Sequence, residues 1–177
     1  MATIKWALDP THSEVLFKVK HLMITNVTGS FKSFNVTAET SDEQLSNASI
    51  QFTAKTSSID TNNEQRDGHL KSPDFFDAEK FPEIKFASDE LKKTAKGDYE
   101  LTGKLTIKGI TKDLKLNVEF AGIAKDPYGN VKAGFTITGS INRNDFGLTW
   151  NAALETGGVM VSEEVKLVSE IQLVKQK

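Results

Sequence analysis

Three histidines, His12, His21 and His69, are the side chains best suited to move protons or bind metal near neutral pH. No two of them stand at a ligand-pair spacing, and no His-Glu-x-x-His run exists, so no metal site is predicted. The chain has no cysteine, which excludes thiolate metal centres, iron–sulfur clusters, disulfides and cysteine nucleophiles together. A Gly-x-Ser-x-Gly elbow, a phosphate-binding loop and a dinucleotide fingerprint are also missing. No catalytic residue and no cofactor are therefore predicted. Two arginines stand out. Arg66-Asp67-Gly68-His69 puts three ionisable groups into one helical turn. Arg66 there either ties its segment to the rest of the fold or holds a phosphate or another polar head group. Arg143 falls on an apolar face, in phase with Ile137, Gly139 and Ile141. Buried there it must meet a carboxylate, backbone carbonyls or a ligand anion, with Asp60, Asp67 and Asp145 as candidate partners.

The elements that position these groups read as strands. Apolar and polar residues alternate at period two through Val15–Val19, Phe34–Ala38, Ile50–Ala54, Ile84–Phe86, Tyr99–Ile107, Leu114–Phe120, Val131–Ile141 and Val165–Leu173. Successive strand side chains point to opposite faces, so each segment buries one face and wets the other. Asp126-Pro127-Tyr128-Gly129-Asn130 and Lys108-Gly109-Ile110 supply turn chemistry at hairpin distance. The connections leave no room for crossover helices, which predicts antiparallel neighbours. Eight half-buried strands require a closed or doubly layered architecture. Between residues 57 and 82 the alternation stops. Thr61-Asn62-Asn63-Glu64 has capping-box spacing and predicts a short helix to about Leu70. Ser72-Pro73-Asp74 predicts a second helix ending before Pro82.

The chain has 177 residues, enough for one domain, taken as residues 1–177 with the helical insertion at 57–82. Lysine and arginine number 22 against 24 aspartate and glutamate, a net charge of −2, which lacks the basic bias of a nucleic-acid binder. A mildly basic stretch from Lys18 to Lys32 has no interleaved exposed aromatics, so no nucleic-acid partner is predicted. No apolar run approaches the ~18 residues of a membrane-spanning helix. The first residues hold no apolar stretch of signal-peptide length. As written the chain predicts a cytoplasmic protein, or a periplasmic one if a signal has been removed.

Eleven phenylalanines sit mostly on the inward faces of the strands or, at Phe75, Phe76 and Phe81, in the insertion. They either fill a core or line an apolar cavity, and an eight-stranded barrel is about the size at which both solutions occur. Inward glycines at Gly103, Gly122 and Gly139 either vacate interior space or mark bends.

Several blocks, in order along the chain, carry a resemblance. They are Trp6-Ala7-Leu8-Asp9-Pro10-Thr11-His12-Ser13, Phe17-Lys18-Val19-Lys20-His21-Leu22, and residues 58–70 with Arg66-Asp67-Gly68-His69. Phe75-Phe76-Asp77, Phe81-Pro82-Glu83-Ile84-Lys85-Phe86, residues 103–111 and Arg143-Asn144-Asp145-Phe146-Gly147 follow. From about Trp6 to Lys175 the sequence resembles the YceI-like family of bacterial polyisoprenoid-binding domains. The resemblance implies an all-β, antiparallel, eight-stranded lipocalin-like barrel with a short helical insertion. It also implies an apolar tunnel for a long-chain amphiphilic lipid such as an isoprenoid quinone or polyprenyl phosphate, and a homodimer. An enzyme acting on such a lipid, or an interaction module with a filled core, are the other readings. Combined with the strand phases, the expected tunnel lining is Phe17, Val19, Phe34, Phe52, Phe86 and Leu101. Leu105, Phe120, Phe135 and Ile137 complete it, with Phe75, Phe76 and Phe81 capping one end. His21, Arg66, His69 and Arg143 are expected at the opening, where a polar head group needs donors.

Overall fold

The computed structural model describes residues 3–22, 24–151 and 161–176. It contains the strands β1 (Ile4–Leu8), β2 (Glu14–His21), β3 (Thr25–Phe31), β4 (Phe34–Thr40), β5 (Ser49–Lys55) and β6 (Ile59–Asp60). The helix α1 (Glu64–Lys71) follows, then β7 (Glu83–Lys93), β8 (Tyr99–Ile107), β9 (Ile110–Lys125), β10 (Val131–Asn142) and β11 (Glu164–Lys175). Neighbouring strands are antiparallel, and β1-β4-β5-β7-β8-β9-β10-β11 closes back on β1 as an eight-stranded barrel.

The count of eight agrees with the period-two reading, but the membership is finer. β1 and β2 lie in succession along the same edge of β11: Trp6–Leu8 pair with Leu173–Lys175, and Glu14–Lys18 with Lys166–Glu170. Between them Asp9 caps a 3₁₀ turn over Pro10–His12 by accepting the Thr11 amide, and proline at the first turn position presets the bend. The alternating run from Val15 thus flares away from the ring, and β1 takes its place in closing it. Interruptions of the strand at Lys32-Ser33 and at the 3₁₀ turn Thr56–Ser58 do the same for β3/β4 and β5/β6. The result is a second storey, β11-β2-β3-β6, standing beside α1 at one end of the barrel.

The insertion differs from expectation in two places. Thr61 is not the N-cap of α1; Asn63 is, its side-chain oxygen accepting the Arg66 amide at 3.0 Å. Thr61 is occupied otherwise, donating both its amide (2.9 Å) and its hydroxyl (2.5 Å) to Asp67 Oδ1. The second helix does not form. Ser72 ends α1, its hydroxyl turning back to the His69 carbonyl, and residues 73–80 follow as successive turns with Asp77 at φ 50°. A residue in the left-handed region cannot continue a right-handed helix.

The interior holds two apolar clusters. One, at the storeyed end, is built on Phe31, Phe75, Phe86, Leu101, Leu105 and Phe146. The other, at the opposite end, is built on Trp6, Val36, Ala38, Ala133, Ile171 and Leu173. Trp6, 2% exposed, donates its indole N–H to Thr40 at 3.0 Å, which satisfies both buried polar groups. Gly103 does not vacate interior space: a Cβ there would lie 2.6 Å from Phe86 Cζ and 2.4 Å from the Ala87 carbonyl. It is a close-approach position.

Candidate functional site

Inside the storeyed end lies a cavity of about 560 Å³, within the range of ligand-binding pockets. Of the residues expected to line it, Phe17, Val19, Phe52, Phe86, Leu101 and Leu105 do so, as does Ile137. Strand phase explains this, because each is inward on its strand and a one-residue slip would have turned the whole set outward. From the insertion, Phe75 and Phe76 also face the cavity. Phe75 meets His69 edge-on at 5.1 Å and lies tilted against Trp150 at 5.5 Å, and Phe76 meets Phe31 edge-on at 6.0 Å.

Four expected lining residues are elsewhere. Phe120 and Phe135 stack on each other at 5.2 Å and 20° and pack against the Trp6 cluster. Phe34, 6.4 Å from Phe52 and paired with Ala54, packs against both clusters without lining the cavity. The stacked Phe120 and Phe135 fill space towards the Trp6 end of the barrel, so the cavity is a pocket rather than a tunnel along its whole length. Period two assigns a face but says nothing about height along the axis, and Phe120 and Phe135 stack towards the Trp6 end instead of lining the cavity. Phe81 does not cap the cavity: its ring packs over Gly109, and its carbonyl accepts the Thr56 hydroxyl at 2.8 Å.

His21, Arg66, His69 and Arg143 all line the cavity, and they are brought to one end of it. His21 bridges to Val161, and the neighbouring Lys20 amide bonds Ser162 Oγ at 3.1 Å. Arg143, 3% exposed, reaches the same short segment. Its Nε donates to the Ser162 carbonyl (2.8 Å) and Nη2 to Val161 (3.2 Å), while Nη1 serves Leu148 (2.5 Å) and Trp150 (2.8 Å). Four carbonyls, not Asp60, Asp67 or Asp145, therefore hold this guanidinium. Burial pulls its pKa down from the ordinary arginine value, partly offset by Glu163, yet the group stays charged in proteins. It organises the mouth. The His69 ring lies 4.7 Å from Trp150 and its Nε2 is 2.9 Å from Asp74. Arg66 donates Nε to the Thr61 hydroxyl (2.7 Å) and Nη2 to its carbonyl (2.6 Å). These bonds tie α1 to the strand before it, the first of the two roles its sequence allowed.

The alternation did not single out Phe31, Leu148 or Trp150, which also line the cavity. Phe31 was detectable through Val27-Gly29-Phe31; Trp150 follows β10 in a stretch without strand pattern, and nothing in the sequence placed it. No aspartate or glutamate is among the lining residues; cations and hydrogen-bond donors cluster at the mouth and the remaining wall is apolar. Among the described residues no three His, Asp or Glu converge as a metal site, and no helix is long and apolar enough to cross a membrane.

The geometry, a closed antiparallel barrel with an apolar interior pocket, defines a lipocalin-like class. Residues 6–173 match the YceI-like domain, and the chain belongs to that family. It is 42% identical over 163 residues to a UPF0312 protein of Staphylococcus epidermidis, covering 92% of each chain. UPF0312 proteins of Staphylococcus aureus are also 42% identical, over 162 residues, 91% of this chain and 92% of theirs. Among solved structures, the YCEI protein of Campylobacter jejuni superposes with a TM-score of 0.77 at 34% identity, covering 96% of this chain and 97% of that one. A polyisoprenoid-binding domain from Saccharophagus degradans shares the fold, with a TM-score of 0.67 at 16% identity over 97% of this chain and 98% of that one.

Proposed function

We propose that this protein binds one long-chain apolar amphiphile, of the polyisoprenoid type, in the cavity and carries or stores it. The observation that supports this is the lining: an apolar wall without carboxylates, with Lys20, His21, Arg66 and His69 gathered at one end. An apolar chain gains roughly 25 cal/mol for each Å² it buries, so the wall supplies affinity and the mouth supplies orientation. An isoprenoid quinone and a polyprenyl phosphate both have the required shape, a slender chain with one polar end. The S. degradans neighbour, described as a polyisoprenoid-binding domain, favours the same ligand class. A binder fits better than an enzyme, because no carboxylate lines the cavity itself, and the one bonded to a lining imidazole, Asp74 on His69, stands on the solvent side, more than half exposed. Native mass spectrometry and solvent extraction of the purified protein test the reading. A co-purifying long-chain lipid at one per chain is expected. Protein that carries none, and that after delipidation fails to bind a dansylated farnesol, would overturn it.

A further inference from the structure

We propose that the turn joining β2 to β3 is a membrane-docking element that sets the cavity mouth against an anionic phospholipid bilayer. Among the described residues the exposed large apolar side chains are Leu22, Ile24, Ile123 and Tyr128, and two of these four occupy this one turn. Ile24 is 77% exposed. The turn is tight: the Ile24 amide bonds the His21 carbonyl at 3.2 Å, and Leu22 sits at φ 55°. Leu22, held in the left-handed region and still more than a third exposed, gains little backbone comfort and only partial packing. Such a choice makes sense where the side chain meets an apolar phase. The turn is continuous with the mouth, since Lys20 and His21, the residues before it, line the cavity.

Charge selects the partner. Residues 15–38 contain no aspartate or glutamate, in a chain that carries 24 carboxylates; Lys18 and Lys20 lie on β2 just before the turn, while Lys32 follows the far end of β3. Acids lie on adjoining elements, and those at the mouth are bonded: Asp74 to His69 and Asp67 to Thr61. Asp60, paired with Ser30, spends a carboxylate oxygen on the Asn62 amide, and Glu163 and Glu164 follow Ser162. Two apolar side chains fall far short of the ~1,000 Å² of a stable protein interface. They suffice for a bilayer, where a shallow apolar wedge beside basic residues binds reversibly. The purpose of docking rests on the carrier reading above: a chain drawn from the bilayer passes straight into the mouth without crossing water.

Co-sedimentation with vesicles of roughly three parts phosphatidylcholine to one part phosphatidylglycerol tests it. Wild type should sediment. Ile24→Asp should lower the partition coefficient at least ~10-fold, the equivalent of losing one buried aliphatic side chain. Leu22→Asn removes apolar bulk while suiting the left-handed backbone, so it folds, and it should weaken partitioning by about threefold. Tyr128→Ser, in the β9–β10 turn at the other end of the barrel, should change nothing. Wild type that stays in the supernatant, variants at residues 22 and 24 that sediment unchanged, or equal loss in Tyr128→Ser would each overturn the proposal. Dansylated farnesol titrated without vesicles separates the two readings. Equal affinity in all four proteins supports a surface role for the turn. Failure of wild type to bind the probe would count against the cavity reading, while the vesicle arm alone decides docking.

Discussion

The ring of Phe17 lies across the backbone of Gly29, its partner on β3: a Cβ at residue 29 would stand 2.2 Å from Phe17 Cζ. This contact couples the second storey to the cavity, because Phe17 is a lining residue and Gly29 is what lets its ring lie flat against the wall. Gly29→Ala must push the ring inward. Overpacking of this kind costs about 1–3 kcal/mol. The variant should lower the denaturation midpoint and also weaken binding of dansylated farnesol, since the ring moves into the space the probe would occupy. Loss of stability without loss of affinity would show that the ring turns outward instead.

Arg143 carries a prediction about the mouth. Its guanidinium serves the carbonyls of Leu148, Trp150, Val161 and Ser162, so one side chain fixes two separate stretches of chain against each other. Arg143→Met leaves those carbonyls without this donor, and each unsatisfied buried group costs ~1–3 kcal/mol. Allowing for relaxation and water, the variant should lose about 3–5 kcal/mol in chemical denaturation. The amides of Val161 and Ser162 should exchange hydrogen much faster. Normal protection there would mean that the segment is held by Asn151, whose side chain also pairs with Val161.

Much of this arrangement was legible in the sequence, and the omissions have physical reasons. β1 escaped the alternation because five residues with Ala7 between Trp6 and Leu8 give too short a pattern. β3 escaped because its central inward residue is Gly29, which has no side chain to register. Of the four polar residues at the mouth, Arg143 was marked by charge on an apolar face, Arg66 and His69 by the ionisable cluster in one helical turn, and His21 only as a donor a head group would need; the structure gathers all four. Arg143's partners were not legible, since backbone carbonyls leave no trace in sequence. Nor was the cavity floor: Phe52 and Phe135 have the same phase, and only the closure of β1 onto β11 puts Phe135 in the packed end beside Phe120.

That difference separates two substitutions identical on paper. Phe52→Trp enlarges a wall residue facing open space, so it should fold with little change in midpoint while weakening dansylated farnesol binding severalfold. Phe135→Trp enlarges a ring already stacked in a filled cluster. It should cost about 1–3 kcal/mol of stability and leave affinity near wild type. Paired urea melts and probe titrations check both. The opposite assignment of effects would move the cavity to the Trp6 end.

The last prediction concerns acid. Asp9 is 2.7 Å from Lys132 Nζ on β10 and 2.8 Å from His12 Nδ1, and it accepts the Thr11 amide and hydroxyl. The bond from Lys132, then those from His12 and Thr11, hold its carboxyl far below the usual carboxylate range, against an opposing effect of burial. A carboxyl whose pKa is depressed by folding adds stability that is complete above its unfolded pKa of ~3.9 and is lost as pH falls towards the folded value. Lys132 is the other half of the pair, its pKa raised chiefly by the bond to Asp9, so its own titration lies in alkali, outside this acid window. Both groups are charged at pH 7, so the pair is intact there. Asp9→Asn removes the charge but keeps the shape, and a charge-assisted bond at a partly buried site is worth about 1.5–3 kcal/mol. The variant should therefore be about 2 kcal/mol less stable than wild type at pH 7. The gap should narrow from about pH 5 downwards as wild type loses its own carboxylate. Urea melts of both proteins from pH 7 to pH 3 measure it. A gap constant with pH would mean that Asp9 acts through its turn-capping bonds alone, and that the Lys132 pair contributes nothing to the barrel's stability.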